Sequence, residues 1–138
     1  MQRLRTSAGF TLIEIMVVVF ILGLLVTLVA PKIIGRTDDA RRTKAAADVK
    51  AIEEALQMFK LDNGFYPSTA DGLQGLVKPP ANARNWNPDG YLEKVPIDPW
   101  GNQYAYFGNG SEFTVKSYGA DGQEGGQGKN ADISSDDL

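Results

Sequence analysis

The chemistry open to this chain is limited by the residue types that it lacks. Its 138 residues include no histidine and no cysteine, the residues that most often serve as general base, thiolate nucleophile or zinc ligand. Carboxylates, hydroxyls, amines and carbonyl oxygens remain, and oxygen atoms of these kinds are the ligands of hard cations such as calcium. We therefore expect no enzyme. A membrane-anchored hydrolase would require a nucleophile with a base beside it, and no such pair can be proposed.

The segment best equipped for calcium is the C-terminal part of the chain, which is rich in glycine and acidic residues from Tyr118 onward. Carboxylates bind the ion and glycines let a loop wrap closely around it. The spacing does not fit an EF-hand, because Gln123 and Gly125 follow Asp121 where that pattern requires Asp or Asn. Composition alone favours a disordered tail. The residues by themselves leave both interpretations open.

A long apolar run extends from Phe10 to Ala30. As a helix rising about 1.5 Å per residue, it is long enough to cross about 30 Å of hydrocarbon. Arg3 and Arg5 precede it and predict a cytoplasmic N-terminus, so the chain beyond Pro31 is expected on the far side of the membrane. The alternatives are a secretory signal peptide cleaved near Ala30 and an ordinary single-pass anchor.

Glu14 is the one charge in this run. A carboxylate in the membrane interior costs about 2.5–3.5 kcal/mol on insertion scales, so it requires a partner or a function. The run contains no cation, and we expect the partner to come from another chain, as an α-amine created by cleavage between Gly9 and Phe10. Identical helices offset by one turn, about 5.4 Å, would bring that amine near Glu14 of a neighbour. Such head-to-tail pairing does not close and builds a filament.

The hexapeptide Gly9-Phe10-Thr11-Leu12-Ile13-Glu14 after a short basic leader resembles the class III signal of type IV pilins and pseudopilins. The resemblance implies that a prepilin peptidase cuts after Gly9 and methylates the new N-terminus at Phe10. It also implies that Glu14 acts in assembly. Pro31 is expected to end the membrane helix or to form a hinge in it, and the resemblance favours the hinge.

Beyond Pro31 the pattern predicts one amphipathic helix and a small sheet. Apolar residues recur at steps of three and four between about Thr37 and Leu61, which is typical of a helix with one buried face. Asn63-Gly64 should end it. A short helix is predicted from Leu73 to Val77, and Tyr104–Phe107 with Phe113–Lys116 should form a β-hairpin.

Four blocks in the connections carry a second resemblance, which covers almost the whole chain. They are similar to the major pseudopilin family of the type II secretion system. This resemblance implies an α+β, type IV pilin-like fold, in which a long N-terminal helix with a membrane half and an amphipathic half packs on a small antiparallel sheet with long loops. The blocks are Leu61–Ser68, Asn85–Leu92, Pro96–Gly101 and Tyr118–Gly126.

The resemblance also implies a domain organisation and a set of partners. Residues 1–9 would be a leader removed on maturation, 10–31 the transmembrane and polymerisation helix, and 32–138 a periplasmic globular domain. The chain would be a single-pass protein of the inner membrane, held in lipid before assembly. It would polymerise with itself and minor pseudopilins after processing by the prepilin peptidase, on an inner-membrane assembly platform with its ATPase.

In this interpretation the filament drives export of folded proteins through the outer membrane. The alternative is a type IV pilin for adhesion or DNA uptake, a class that usually carries a C-terminal cysteine pair. The resemblance further implies structural calcium, bound by the side chains of Asp121 and Asp132 with backbone carbonyls near Tyr118 and Ser134. Nucleic acid is not expected as a partner, because the net charge is −3 and the basic residues are scattered.

Overall fold

A single long helix, α1, spans Leu12–Asn63 in the computed structural model. The structure describes residues 9–138, apart from the side chains of 29–35. The residues fall into two compact units, which meet in sequence between Thr37 and Asp38. The leader at 1–8, with Arg3 and Arg5, lies outside the described residues.

The second part of α1 is the amphipathic helix that the sequence predicts. Five apolar side chains at steps of four and three are fully buried along one face, and this confirms the predicted stripe. The helix ends at Asn63, where Gly64 adopts a φ of 87° and its N–H bonds the Lys60 carbonyl at 2.7 Å. A left-handed glycine after the last turn is a common helix C-terminus. The stripe consists of Ala45, Val49, Ile52, Leu56 and Phe59.

Three short antiparallel strands form the sheet in the order β1-β2-β3. Strands β1, Ala105–Gly108, and β2, Phe113–Ser117, are the predicted hairpin. Strand β3, Ile133–Ser134, was not predicted. It pairs with β2 so that Ile133 lies opposite Ser117 and Ser134 opposite Lys116.

One hydrophobic core joins the helix stripe to the sheet. Its sheet-side members include Tyr104, Tyr106, Val115 and Ile133, each at most 8% exposed. The predicted short helix is a 3-10 helix at Gly72–Leu76, and it adds Leu73 and Leu76 to this core. The predicted α+β fold, with long loops around a small antiparallel sheet, is therefore confirmed.

Pro31 does not end the helix, contrary to one of the two expectations. Helix α1 runs from Leu12 to Asn63, through Pro31. An interior proline loses one backbone hydrogen bond and clashes with the carbonyl four residues back, at a cost of about 3 kcal/mol. A break at that point would instead leave up to four carbonyls and four N–H groups without intrahelical partners. The hinge remains a prediction.

The disordered tail that composition favours is wrong for the last residues of the chain. Ile133 is only 6% exposed and belongs to the core. A 3-10 helix follows at Ser135–Asp137, with the Ser134 hydroxyl accepting from the Asp136 N–H at 3.2 Å. One apolar side chain and one strand pairing therefore order a segment that is otherwise acidic.

Candidate functional site

The N-terminus of α1 carries a capping box formed by Thr11 and Glu14. The Thr11 hydroxyl accepts a hydrogen bond from the Glu14 N–H at 3.3 Å, and the Glu14 carboxylate accepts one from the Thr11 N–H at the same distance. Each side chain thus satisfies a backbone donor that the helix itself leaves unpaired. A carboxylate in the first turn also interacts favourably with the helix dipole.

Glu14 therefore has a partner within its own chain, whereas we expected its partner to come from outside. The expectation counted only opposite charges as partners and left out backbone N–H groups. The spacing Thr11-x-x-Glu14 before an apolar run is a recognised signal of a helix start, and it could have revealed the role of Thr11. The α-amine of a neighbouring chain remains a further, untested partner for Glu14.

Behind the capping box the helix surface is apolar on every side. The large apolar side chains from Phe10 to Leu28 are between 49% and 84% exposed. A shallow groove of about 260 Å³ runs along Phe10, Glu14, Ile15, Val18 and Val19. Burial of such surface is favourable by about 25 cal/mol per Å², so this surface is energetically suited to lipid or to another protein.

The predicted sites at this end are located as follows. Gly9 precedes the helix, and no atom of residues 9–138 that the structure describes lies within 4 Å of where its Cβ would be. Phe10 is 84% exposed. In the part of the chain that the structure describes, no helix reaches the combined length and apolarity of a membrane crossing. The predicted span of 10–31 includes residues 29–31, whose side chains lie outside the described set.

The second candidate site is the glycine loop, by which we mean residues 118–132. Its two ends are held together, because the Ala120 N–H donates to the Lys129 carbonyl at 3.0 Å. Gly119 adopts a φ of 71°, and a Cβ there would lie 2.8 Å from the Asn130 carbonyl oxygen and 2.9 Å from that of Ala131. Backbone carbonyls therefore crowd the point where the loop closes.

The two predicted carboxylates occupy this loop in different environments. Asp121 is exposed and accepts a hydrogen bond from the Gln123 N–H at 3.1 Å. Asp132 uses Oδ2 to accept from the Gly125 N–H at 3.0 Å, while its buried Oδ1 has no hydrogen-bond partner among the residues that the structure describes. A buried unpaired carboxylate oxygen is costly. A bound cation would remove that cost.

The predicted carbonyl ligands lie at the two ends of the loop, Tyr118 as its first residue and Ser134 just beyond it. Tyr118 is half-buried and directly follows β2, and Ser134 is buried in β3, two residues beyond Asp132. Among the described residues, no group of three or more acidic side chains is arranged to hold a metal. A calcium ion would therefore depend on two carboxylates and on carbonyl oxygens. Such an oxygen-only set fits calcium.

A buried tyrosine joins the sheet side of the core to α1. The Tyr104 hydroxyl donates to Asp48 Oδ2 at 2.8 Å, and Lys44 donates to both oxygens of Asp48 at 3.0 and 3.1 Å. Burial raises the pKa of Tyr104 well above its usual value, and the hydrogen bond to Asp48 raises that pKa further. Tyr104 therefore stays protonated as a structural donor and cannot serve as a general base near neutral pH.

Comparison with known proteins decides the family. The sequence model described as type II secretion system (T2SS), protein G, matches residues 32–136. The prokaryotic N-terminal methylation motif matches residues 4–30. The chain belongs to the type II secretion system protein G family.

Two family members are similar along nearly their whole length. A type II secretion system core protein G of Pseudomonas aeruginosa is 56% identical, over 96% of this chain and 96% of its own. Its counterpart in Vibrio cholerae is 48% identical, over 96% and 94%. These matches confirm the recognised family and the methylation motif, and they favour a secretion-system subunit over a type IV pilin for adhesion or DNA uptake.

The fold of the family is also the fold of this chain. The crystal structure of the major pseudopilin from the type 2 secretion system of enterohaemorrhagic Escherichia coli matches with a TM-score of 0.65 at 37% identity. The matched region covers 76% of this chain and 94% of the chain in that crystal structure. This chain is accordingly a major pseudopilin subunit of a type II secretion system, built on the pilin-like α+β fold.

Proposed function

We propose that this subunit is a structural protein without catalytic activity, and that it polymerises through α1 into a filament that drives export of folded proteins through the outer membrane. A prepilin peptidase would cleave after Gly9 and methylate Phe10. The helix at 10–31 would hold the subunit in the inner membrane, with residues 32–138 in the periplasm. Copies of itself and minor pseudopilins would be its neighbours in the filament, built on an assembly platform with its ATPase.

The observation that supports this proposal most strongly is the apolar surface from Phe10 to Leu28, exposed on all sides of a helix. Lipid would cover it before assembly, and other helices would cover it in the filament. In lipid, helices gain by packing side chains against each other and by satisfying polar groups. Glu14, at the start of this surface, is the polar group that we propose to meet the methylated amine of a neighbour.

The processing step is tested by the intact mass of the protein from cells with and without the peptidase. We expect a mature chain that begins at methylated Phe10 in the first cells and the uncut chain in the second. Gly9→Ala serves as the cleavage variant, since a methyl group there meets none of the described residues within 4 Å. Loss of cleavage in that variant then reports on the peptidase. Cleavage after Ala30 in wild type would contradict the proposal.

We also propose that the glycine loop binds structural calcium through Asp121 and Asp132, with carbonyl oxygens near Tyr118 and Ser134. Support comes from the buried, unpaired Oδ1 of Asp132.

A ligand that binds only the folded state raises stability with its concentration. Calcium at millimolar concentration should raise the melting temperature of wild type, and a chelator should reverse the gain. Asp132→Asn should lose this response, and exposed Asp89→Asn, which removes the same charge elsewhere, should keep it. An equal response in all three would refute the site.

A further inference from the structure

Asp98 is a buried carboxylate that serves two separate purposes. It is 4% exposed. Its Oδ1 accepts from the Trp100 N–H at 3.1 Å and from the Asn102 N–H at 2.7 Å, closing the turn at Asp98–Asn102. Its Oδ2 accepts from the Ser117 hydroxyl at 2.9 Å. The turn needs only the first oxygen, as in any Asx turn, so the second oxygen is free to link the turn to another part of the fold.

Ser117 continues that link to the glycine loop. It is the last residue of β2 and is fully buried. Its Oγ accepts a hydrogen bond from the Gly119 N–H at 3.3 Å while its hydroxyl hydrogen is donated to Asp98. The turn also lies beside the loop at a second point, where the side-chain amide of Asn102 is 3.3 Å from the position that a Cβ of Gly122 would take.

Gly119 in turn lies against the other end of the loop. Its backbone packs so closely on the carbonyls of Asn130 and Ala131 that a Cβ would lie within 3 Å of both oxygens. Asp132, whose Oδ1 is unpaired, directly follows Ala131 in the sequence. The contacts therefore run from Asp98 through Ser117 and Gly119 to the residues just before Asp132.

From these contacts we infer that Asp98 is a positioning residue for the glycine loop. It holds the start of the loop against its end, so that the carboxylates and carbonyls are ordered before an ion arrives. Pre-ordering of ligands lowers the cost of binding. The inference is tested by two measurements. Hydrogen exchange in the loop does not involve calcium, whereas the calcium affinity rests on the proposed calcium site.

Asp98→Asn separates the two purposes of the side chain. The side-chain oxygen of Asn can still accept hydrogen bonds from the Trp100 and Asn102 N–H groups, as Oδ1 of Asp98 does. The NH2 of Asn can only donate to Ser117 Oγ, so the bond is reversed, it loses the negative acceptor, and the buried serine hydrogen is left without an acceptor.

Ser117→Ala removes the link altogether, because it deletes both the donor to Asp98 and the acceptor of the Gly119 N–H. Asp62→Asn is the control for the loss of one hydroxyl-to-carboxylate bond away from the loop, because exposed Asp62, on α1, accepts the Tyr91 hydroxyl at 2.7 Å.

The first measurement is hydrogen exchange at the Ala120 amide of the full chain in detergent without calcium. That amide bonds Lys129 across the loop. Exchange should be about tenfold faster in Asp98→Asn and Ser117→Ala, and unchanged in Asp62→Asn. Exchange in both Asp98→Asn and Ser117→Ala equal to that of wild type would overturn the inference.

The second measurement is calcium titration of the same four proteins. Asp98→Asn and Ser117→Ala should bind calcium about tenfold more weakly, and Asp62→Asn should bind as wild type does. A purely structural role would lower stability without changing the calcium affinity, and that result would overturn the inference. If wild type itself binds no calcium, the calcium site is rejected, and the exchange measurement alone decides whether Asp98 orders the loop.

Discussion

The carboxylate of Glu14 accepts a hydrogen bond from the Thr11 N–H, and the hydroxyl of Thr11 accepts one from the Glu14 N–H, each at 3.3 Å. This reciprocal pair fixes where α1 begins. It also places the one carboxylate of the apolar run within the first turn, close to Phe10. The residue proposed to bind a neighbour's amine therefore also caps its own helix, and the two roles must be separated experimentally.

Thr11→Ala should weaken the start of α1 and leave the carboxylate in place. Loss of an N-cap hydroxyl costs about 0.5–2 kcal/mol. The Glu14 amide donates a hydrogen bond to Thr11 Oγ. We expect hydrogen exchange at this amide to be faster in Thr11→Ala, with no change in exchange beyond the first turns of the helix. Thr27→Ala is the control, because its hydroxyl bonds the Leu24 carbonyl within the same helix. Equal exchange at Glu14 in wild type and Thr11→Ala would show that the cap is not formed in solution.

Phe59→Ala should strongly destabilise the globular unit. Phe59 is fully buried and meets Phe65 and Tyr91 edge to face, with ring centroids 5.6 and 5.4 Å away. Truncation of a buried phenylalanine costs about 3–5 kcal/mol. Met58→Ala, at a neighbouring side chain that is 54% exposed, should cost well under half as much. Urea unfolding of the two variants in the same detergent compares them, and similar losses would place Phe59 outside the core.

Gly119→Ala and Gly125→Ala test the closure of the glycine loop. Both glycines have positive φ, 71° and 87°, so both substitutions incur backbone strain of about 1 kcal/mol or more. The added methyl group of Gly119→Ala collides with two carbonyl oxygens, whereas that of Gly125→Ala meets no atom of the described residues within 4 Å. Gly119→Ala should therefore lower the melting temperature by several degrees more. Equal losses would mean that the loop ends are not in contact.

Stability should fall as the pH rises above about 10. The pKa values of Tyr91, Tyr104 and Tyr106 are all raised in the folded protein, in each case first by burial. The folded state then retains protons that the unfolded state loses above the ordinary tyrosine pKa, and the free energy of unfolding decreases with pH. Unfolding midpoints measured in guanidinium between pH 8 and 11 should show this decrease. Tyr104→Phe should make the slope shallower, and an unchanged slope would contradict the assigned cause.

The sequence predicts those parts of the fold that follow from regular spacing. The buried stripe from Ala45 to Phe59 follows from helical periodicity, and the hairpin follows from two β-rich runs around a glycine turn. Strand β3 could not be predicted, because only Ile133 distinguishes it within an acidic stretch. Its order comes from pairing with β2, which is distant in the sequence.

Only some of the functional residues could be predicted from the sequence, because part of their contacts join distant segments. Glu14 is conspicuous as a charge in an apolar run, but its cap with Thr11 was missed although the spacing displays it. Asp98 appears in the sequence only as turn chemistry, because nothing in the local pattern reveals that Ser117 meets its second oxygen. Local chemistry is readable from spacing, whereas contacts between distant segments require the fold.

Polymerisation through the processed N-terminus is tested most directly by sheared filaments from cells that carry the secretion system. Glu14→Gln keeps an oxygen to accept the Thr11 N–H but removes the charge, and Thr11→Ala keeps the charge but removes the hydroxyl cap. Both should be cleaved after Gly9. Glu14→Gln should be absent from filaments while Thr11→Ala still assembles. Filaments of Glu14→Gln at the wild-type level would contradict a charge-based role of Glu14 in assembly.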